Sequence, residues 1–338
     1  MDKILVTGGA GYIGSHTVVE LDKAGYETII VDNFSNSEHR AINGIEKIIG
    51  KKTKLYEGDC NDGSFMENLF RAEGNLVGCV HFAAFKAVGE SVANPIKYYD
   101  NNIGSLVVLV NLLKKYNVPN LVFSSSCTIY GQPEELPVSE SSPIKPAESP
   151  YGNTKQICEE ILKDVHNANE AIKSLALRYF NPIGAHDSSL IGELPIGTPN
   201  NLVPFITQAA AGIRKQLTVF GNDYDTPDGS CVRDYIHVVD LAKAHVQAMK
   251  VLQENEELSY YDYINLGTGN GNSVLEVIST FEKATNESVP YEIGPRRSGD
   301  VEQVWANVAK AEKELNWKAQ RNLETSLIDA WNWQKSLS

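Results

Sequence analysis

Tyr151 and Lys155 are four residues apart in the segment SPYGNTK, which begins at Ser149. A serine followed by a proline is typical of a helix start, with Ser149 as N-cap and Pro150 in the first turn. Both side chains would then lie on one helix face. A phenol with a pKa of about 10 needs a nearby positive charge to act as a base at neutral pH. Lys155 can supply that charge, although a Tyr-x-x-x-Lys pair by itself is more often structural.

Three serines, Ser124 to Ser126, follow the apolar run Leu121 to Phe123. We expect this run to be a buried strand, and doubly wound sheets bind their ligands at the carboxyl ends of their strands. Ser126 is therefore the predicted catalytic hydroxyl beside Tyr151 and Lys155. Ser124 and Ser125 are equally consistent with ordinary turn or capping residues.

A glycine-rich segment, KILVTGGAGYIGSHT, places Gly8, Gly11 and Gly14 at three-residue intervals between an apolar run and a helical pattern. Glycines at such a junction allow a tight turn and close approach to a pyrophosphate, which the helix N-terminus binds. Asp32 follows eighteen residues after Gly14, where a carboxylate accepts hydrogen bonds from ribose hydroxyls. This favours NAD over NADP, because the extra 2′-phosphate of NADP would meet the Asp32 carboxylate. The nearest cationic residue in the sequence that could compensate is Arg40. The alternative for Asp32 is a solvated turn acid.

Short apolar runs alternate with helical patterns through the first half of the chain, at residues 4–6, 28–31, 77–82, 121–123 and 175–177. Continuous apolar strands separated by helices predict a parallel sheet covered on both faces. We therefore predict an α/β fold, a Rossmann-type doubly wound parallel sheet with a smaller, loop-rich C-terminal substrate domain. The expected division is 1–180 for NAD binding and 181–338 for substrate, interleaved because 236–268 returns to the first domain.

Composition restricts the class of protein. The net charge of −13 over 338 residues argues against a nucleic-acid partner or an anionic membrane surface. Five widely spaced cysteines without a Cys-x-x-Cys or metal-ligand spacing predict reduced thiols and no metal site. Since no stretch approaches the ~18 apolar residues of a membrane span, we expect a cytosolic protein.

Further motifs extend this pattern from Lys3 to Trp333. They are HFAAFKAVGES from His81, YYDNN from Tyr98, SSSCTIYG from Ser124, LRYFNPIGAH from Leu177, PNNL from Pro199, FGNDY from Phe220 and VRDYIHVVDLA from Val232. Together with the glycine segment and the Tyr–Lys pair, they resemble the extended short-chain dehydrogenase/reductase family, and several resemble its nucleotide-sugar epimerases.

The resemblance implies a set of contacts for each ligand. For NAD these are Gly8, Gly11, Tyr12, Ile13, Gly14, Asp32, Asn33, Asn36, Ser37, Asp59, Cys60, Phe82, Ala83, Ala84, Lys86, Asn101, Ser124, Tyr151, Lys155 and Phe180. For the nucleotide-sugar they are Lys86, Ser126, Tyr151, Asn181, Asn201, Leu202, Phe220, Arg233, Tyr235, Arg297, Asp300 and Val304. Arg233 and Arg297 suit the diphosphate, because guanidinium groups bind phosphate oxygens in pairs.

Three positions depart from the family pattern. Ala84 and Cys127 replace residues that are often Gly and Ala, and we expect little effect. Val304 stands where the family has either a bulky Tyr or a small residue that leaves room for an N-acetyl group. The implied ligands are therefore UDP-glucose and UDP-galactose, together with UDP-GlcNAc and UDP-GalNAc, bound by a homodimer.

The implied reaction removes a hydride from hexose carbon 4 to tightly bound NAD+, leaves a 4-keto sugar and returns the hydride to the opposite face. Tyr151 would take the hydroxyl proton through or beside Ser126. A nucleotide-sugar 4,6-dehydratase is the nearest alternative, but it needs an acid pair where Cys127 and Thr128 stand. A carbonyl reductase would need exchangeable NADPH, which nothing here favours. A non-catalytic NAD-binding protein would lose the catalytic residues.

Overall fold

The computed structural model describes residues 1–297 and 300–337. The first half contains β1 (Lys3–Thr7), α1 (Tyr12–Lys23), β2 (Glu27–Asp32), α2 (His39–Ile49), β3 (Lys54–Glu57), α3 (Gly63–Glu73), β4 (Leu76–His81), α4 (Val88–Ala93), α5 (Pro95–Lys115), β5 (Asn120–Ser126), a 3₁₀ turn (Cys127–Tyr130), α6 (Pro150–Asn167) and β6 (Lys173–Tyr179). The second half contains β7 (Asn181–Ile183), α7 (Leu202–Ala210), β8 (Leu217–Phe220), β9 (Val232–Arg233), β10 (Tyr235–His237), α8 (Val238–Glu254), β11 (Tyr260–Leu266), β12 (Asn272–Ser273), α9 (Val274–Thr285), β13 (Tyr291–Gly294), β14 (Gln303–Val304), α10 (Ala309–Glu314) and α11 (Leu323–Ser336).

A seven-stranded parallel sheet forms the centre of the molecule, with strand order β11-β6-β5-β4-β1-β2-β3. The order reverses between β1 and β4, which is the point where doubly wound sheets open a ligand crevice. The predicted Rossmann-type fold is confirmed.

Alternating side chains of the strands face two separate cores. Ile4 and Val6 of β1 pack in one core with α1 and α8, whereas Leu5 packs in the other with α3, α5 and α6. This explains the continuous apolar runs in the sequence, because a strand covered on both faces has no polar side. The strand β11 extends the same sheet, pairing with β6 along its whole length.

The remaining strands form small sheets beside the carboxyl edge of the large one. They are β10-β7, β12-β9-β14 and β13-β8, and a third core beneath them includes Ile206 of α7, Phe281 of α9 and Trp331 of α11. Asn181 and Arg233, both predicted to bind substrate, lie on these short strands.

Two sequence expectations about element bounds need correction. The strand β5 does not end at Phe123 but continues through Ser126, with all three serines buried. Their hydroxyls bond neighbouring side chains, so polar residues are accommodated inside the strand. The edge strand β3 was not predicted, because its four residues are exposed or half-buried and lack an apolar run. Within the described residues, no helix combines the length and apolar character needed to cross a bilayer.

Candidate active site

The glycine segment forms a tight turn between β1 and α1. Gly8 has a left-handed backbone with φ of 69°, and Gly11 is the N-cap residue of α1. A Cβ on Gly14 would lie 2.2 Å from the Gly8 carbonyl oxygen, so only glycine allows the helix to start this close to the turn. The first turn of α1 therefore presents its unpaired N–H groups at the carboxyl edge of the sheet, as anion binding requires.

Asp32 ends β2 beside this turn and is 8% exposed, which excludes a solvated turn acid. Its Oδ2 accepts a hydrogen bond from Ala10 N at 2.9 Å, and its Oδ1 accepts from Phe34 N at 3.0 Å and Ser37 Oγ at 2.8 Å. Since a carboxylate oxygen can accept about two hydrogen bonds, Oδ2 keeps capacity for a ribose hydroxyl. The carboxylate is thus held in place by the loops on both sides.

A cleft with about 600 Å³ of empty space lies at this point of the sheet. Its lining includes twelve of the predicted cofactor residues: Gly8, Gly11, Asp32, Asn33, Asn36, Ser37, Asp59, Cys60, Phe82, Ala83, Ala84 and Asn101. It also includes Phe85, within the predicted contact segment 82–86, and five residues that were not predicted to contact NAD: Val31, Ser35, Gly58, Asn61 and Ser105. A glycine turn, an acceptor for ribose and a cleft lined by both fit a dinucleotide.

The one cation near Asp32 in the sequence, Arg40, is engaged elsewhere. Its Nη2 donates to Ser336 O at 2.8 Å, and its guanidinium lies 5.3 Å from the ring centroid of Trp333 in α11. Arg40 therefore does not counter the negative charge of Asp32 for a 2′-phosphate, which supports the preference for NAD.

The loop after β4, residues 82–86, is fixed to two helices by Asn102. Its Oδ1 accepts from Phe85 N at 2.9 Å, and its Nδ2 donates to Phe85 O at 3.0 Å and to Thr154 Oγ1 at 3.1 Å. The sequence analysis predicted a role for its neighbour Asn101 but none for Asn102. The only sign of Asn102 in the sequence was its place at the end of the motif YYDNN.

Helix α6 places Tyr151 and Lys155 next to the serines of β5. Ser149 caps the helix as predicted, accepting from Gly152 N at 3.2 Å. Lys155 is buried and its Nζ donates to Ser124 O at 2.7 Å, while the Ser124 hydroxyl bonds that of Tyr179. Ser126 Oγ accepts from Thr128 Oγ1 at 3.0 Å. The three predicted catalytic residues are brought together.

Burial shifts the pKa values of Tyr151 and Lys155 in opposite directions. Exclusion of water raises the pKa of Tyr151 to about 12, and a hydrogen bond with Ser126 opposes the rise. Burial lowers the pKa of Lys155 to about 8, and the neighbouring Cys158 and Glu159 oppose this shift. In the chain alone the loss of hydration outweighs the Lys155 ammonium, which lies 5.9 Å from the Tyr151 ring centroid. Stabilisation of a Tyr151 phenolate by Lys155 together with an oxidised nicotinamide stays a prediction.

The arginines predicted for the diphosphate lie on either side of Asp300. Arg297 Nη2 donates to Asp300 Oδ1 at 2.6 Å, and Arg233 Nη2 is 4.0 Å from the same oxygen. The Arg297 guanidinium lies 5.4 Å from the ring centroid of Phe220, whose side chain is 41% exposed. This arrangement gathers two positive charges next to an exposed aromatic ring.

Lys86 and Asn201 meet at a carboxylate that the sequence did not indicate. Lys86 Nζ and Asn201 Nδ2 donate to Glu193 Oε1 at 3.2 and 2.6 Å, and Trp333 Nε1 donates to Glu193 O at 2.8 Å. These contacts join the loop after β4 to the start of α7.

Val304 is buried on β14, directly opposite Arg233 of β9. It packs in a small apolar cluster with Ile129, Tyr130 and Phe180. A larger side chain would therefore have to displace these neighbours or extend toward the site.

The other predicted contacts differ in how their side chains are used. The Tyr12 hydroxyl donates to Gly184 O at 2.7 Å, so its side chain packs α1 against the loop after β7. Tyr235 is 6% exposed and belongs to the third core. Ile13, Asn181 and Leu202 are half-buried.

The model of the GDP-mannose 4,6 dehydratase family matches residues 5–329. The chain is 51% identical to the UDP-glucose 4-epimerase of Bacillus subtilis over 334 residues, 98% of this chain and 97% of that protein. The crystal structure of UDP-glucose 4-epimerase from Bifidobacterium longum in complex with NAD+ and UDP is 50% identical, with a TM-score of 0.94 over 99% of this chain and 98% of that one. The UDP-Glc/GlcNAc 4-epimerase from Campylobacter jejuni is 38% identical, with a TM-score of 0.84 over 99% and 100%.

Proposed function

The chain belongs to the UDP-glucose 4-epimerase family, and from this premise we propose which of its residues perform the reaction. It is an NAD-dependent isomerase that interconverts UDP-glucose and UDP-galactose. The observation that carries the assignment of residues is the convergence of Ser126, Tyr151 and Lys155 at the end of β5. This strand is next in the sheet to β4, whose following loop lines the cleft.

The chemistry that NAD+ supplies when bound is reversible hydride exchange with hexose carbon 4, which passes through a 4-keto sugar and returns the hydride to the opposite face. Tyr151 Oη accepts the proton of the 4-hydroxyl as the hydride leaves and gives it back after the ring has turned. Ser126 Oγ orients the reacting oxygen. No net oxidation results, so turnover needs no added reductant.

The chain also binds the two ends of the substrate with different strength. Arg233 and Arg297 provide charge-assisted contacts for the diphosphate, whereas the hexose meets the neutral Ser126, Tyr151 and Val304. Binding energy from the nucleotide, which does not react, retains the keto sugar while it presents its other face.

A 4,6-dehydratase would share the first oxidation, and the matching family model carries that description. Elimination of water needs an acid pair after the serine strand. Cys127 and Thr128 occupy that place, and Thr128 is already bonded to Ser126. The epimerase assignment is therefore favoured.

We expect purified protein to convert UDP-galactose to UDP-glucose without added reductant, and Tyr151→Phe to lower kcat by about 10²- to 10⁴-fold, the range for general acid–base groups. Resolution of the two epimers by chromatography measures this. Tyr26→Phe, which loses a hydroxyl bonded to Gln253 Oε1 at 2.6 Å, is the control and should leave kcat unchanged. Normal turnover in Tyr151→Phe would contradict the proton-transfer role.

We further propose that the substrate range includes UDP-GlcNAc and UDP-GalNAc, because Val304, which pairs with Arg233 of β9, is a small residue at the position where the family otherwise has a bulky Tyr. The Campylobacter jejuni relative, described as acting on both UDP-Glc and UDP-GlcNAc, supports this.

Val304→Tyr should abolish turnover of the N-acetylated pair and retain that of UDP-galactose. The added ring should also lower the free energy of unfolding by about 1–3 kcal/mol, the usual cost of overpacking. Rates on each UDP-sugar and urea unfolding check both effects. Unchanged turnover of UDP-GlcNAc in the variant, or none in the wild type, would refute the proposal.

Homodimer assembly, the two-domain division at residue 180 and a cytosolic location stay predictions. The five cysteines are free, which supports a reducing environment.

A further inference from the structure

Ser125, the middle one of the three serines that end β5, makes a hydrogen bond that does not involve the reacting groups. Ser124 and Ser126 have neighbours on the Tyr151 side, whereas Ser125 Oγ donates to Glu159 Oε1 on α6. Since side chains alternate along a strand, Ser125 lies on the opposite face of β5 from Ser124 and Ser126. It links the strand to α6, the helix that carries Tyr151 and Lys155. Glu159 is one helical turn beyond Lys155 and is 4% exposed.

The Glu159 carboxylate forms an ion pair with a buried arginine. Arg178 of β6 is 1% exposed, and its Nε donates to Glu159 Oε1 at 2.9 Å while its Nη2 pairs with Oε2. Its Nη1 donates to Tyr130 Oη at 2.9 Å, and its guanidinium lies 3.7 Å from the ring centroid of Tyr263. Glu159 thereby connects α6, β5 and β6 at one point below the site.

A buried ion pair is a poor way to stabilise a fold, because desolvation offsets most of the attraction. Well-packed apolar residues would serve as well for stability. The pair at Glu159 has two features that an apolar contact would lack, a negative charge next to Lys155 and a hydrogen-bond acceptor for Ser125.

We propose that Glu159 is a positioning residue for the epimerase reaction: through Ser125 it fixes the end of β5, and with it the Ser126 hydroxyl, relative to Tyr151 and Lys155. The inference rests on the proposed function. Ser126 and Tyr151 must face the same substrate oxygen, and they belong to different elements that Glu159 joins.

The carboxylate also acts on the charge of Lys155. The titratable and charged groups around Lys155 are Tyr151, Cys158 and Glu159 on its own helix, His81 on β4 and, through Glu159, Arg178 on β6. Burial raises the pKa of Cys158 to about 12 and lowers that of His81 to about 3, so both are neutral at pH 8. Glu159 is thus the anion that favours protonated Lys155.

Ser125→Ala is the first test, because it removes one hydrogen bond and leaves the Glu159–Arg178 pair intact. We expect kcat for UDP-galactose to fall by about tenfold, the loss that one hydrogen bond to a charged group causes, with KM unchanged because the nucleotide contacts are elsewhere. Glu159→Gln removes the charge at nearly constant volume. It should move the alkaline fall of kcat to lower pH, because Lys155 then loses its proton more easily.

Asp240→Asn is the matched control. Asp240 is a carboxylate of 1% exposure on α8 whose Oδ1 accepts from Arg321 Nη1 at 2.7 Å, with no contact to the site residues. It should lower the thermal midpoint while keeping kcat and the pH profile. If Ser125→Ala and Glu159→Gln behave like Asp240→Asn, the positioning role is refuted, and Ser125→Ala decides alone if Glu159→Gln does not fold. Failure of the proposed function is distinct, because the wild type would then not interconvert the epimers.

Discussion

Tyr151 and Lys155 show why this site depends on its cofactor. Burial keeps the Tyr151 proton on, with a pKa of about 12, and brings the pKa of Lys155 down to about 8. A tyrosine can accept a proton near neutral pH only if a further positive charge is close to its oxygen. The chain supplies one buried ammonium, and an oxidised nicotinamide bound nearby would supply the second. Proton transfer and hydride transfer would then be coupled by electrostatics.

We expect kcat to fall as pH rises above about 8. The pKa of Lys155 is lowered by burial to about 8, so the ammonium is present below that pH and is lost above it. Initial rates at saturating UDP-galactose between about pH 6 and pH 10 measure the fall, with stability checked by circular dichroism at each pH. Because NAD+ adds positive charge, the fall should begin at or below this value. A constant kcat up to pH 10 would contradict the role of the ammonium.

At the scale of elements, helix α6 is the part that aligns the reacting groups. Its start is fixed by Ser149 and Pro150, the two residues that directly precede Tyr151. Fraying of the first turn would therefore move the phenol directly. Lys155, one turn later, is held by the Ser124 carbonyl. We therefore expect capping to affect catalysis as well as stability.

Ser149→Ala should lower the free energy of unfolding by about 1 kcal/mol, the usual value of an N-cap, and also lower kcat. Asn322→Ala removes the cap of α11, which accepts from Thr325 N at 2.9 Å, and should cost similar stability with kcat unchanged. Urea unfolding and steady-state kinetics on both variants separate the effects. Equal kcat in the two variants would show that the cap acts on stability alone.

The elements also show what a sequence can reveal. The glycine turn, Asp32 and the capped start of α6 were predictable, because each depends on residues close together in the chain. Glu159, Glu193 and Asn102 were not, since their partners are tertiary neighbours. Asn102 bonds Phe85 and Thr154, which are 17 and 52 residues away. The strands β9, β12 and β14 have two residues each, too few for any periodicity.

At the scale of the whole molecule, the net charge of −13 opposes the binding of a UDP-sugar with two negative charges. The attraction that offsets this repulsion is local, and we propose that Arg233 and Arg297 supply it. Arg233 is half-buried, its Nη1 donates to Val232 O at 2.9 Å, and it shares Asp300 with Arg297. We expect long-range repulsion to act during approach, and the proposed arginine contacts to act once the diphosphate is bound.

These two contributions respond differently to salt. At an ionic strength of about 0.15 M the screening length is about 8 Å, so repulsion from distant surface charges is largely removed while contacts in the cleft persist. We therefore expect kcat/KM for UDP-galactose to rise between about 0.01 and 0.15 M salt. Arg233→Ala should lower kcat/KM by about ten- to hundredfold at every salt concentration, the loss expected for a charge-assisted hydrogen bond. If kcat/KM changes with salt in the same way for the wild type and for Arg233→Ala, the repulsion comes from charges on the exterior of the protein. A steep fall of wild-type kcat/KM with salt would instead show that the positive field of the cleft dominates the approach.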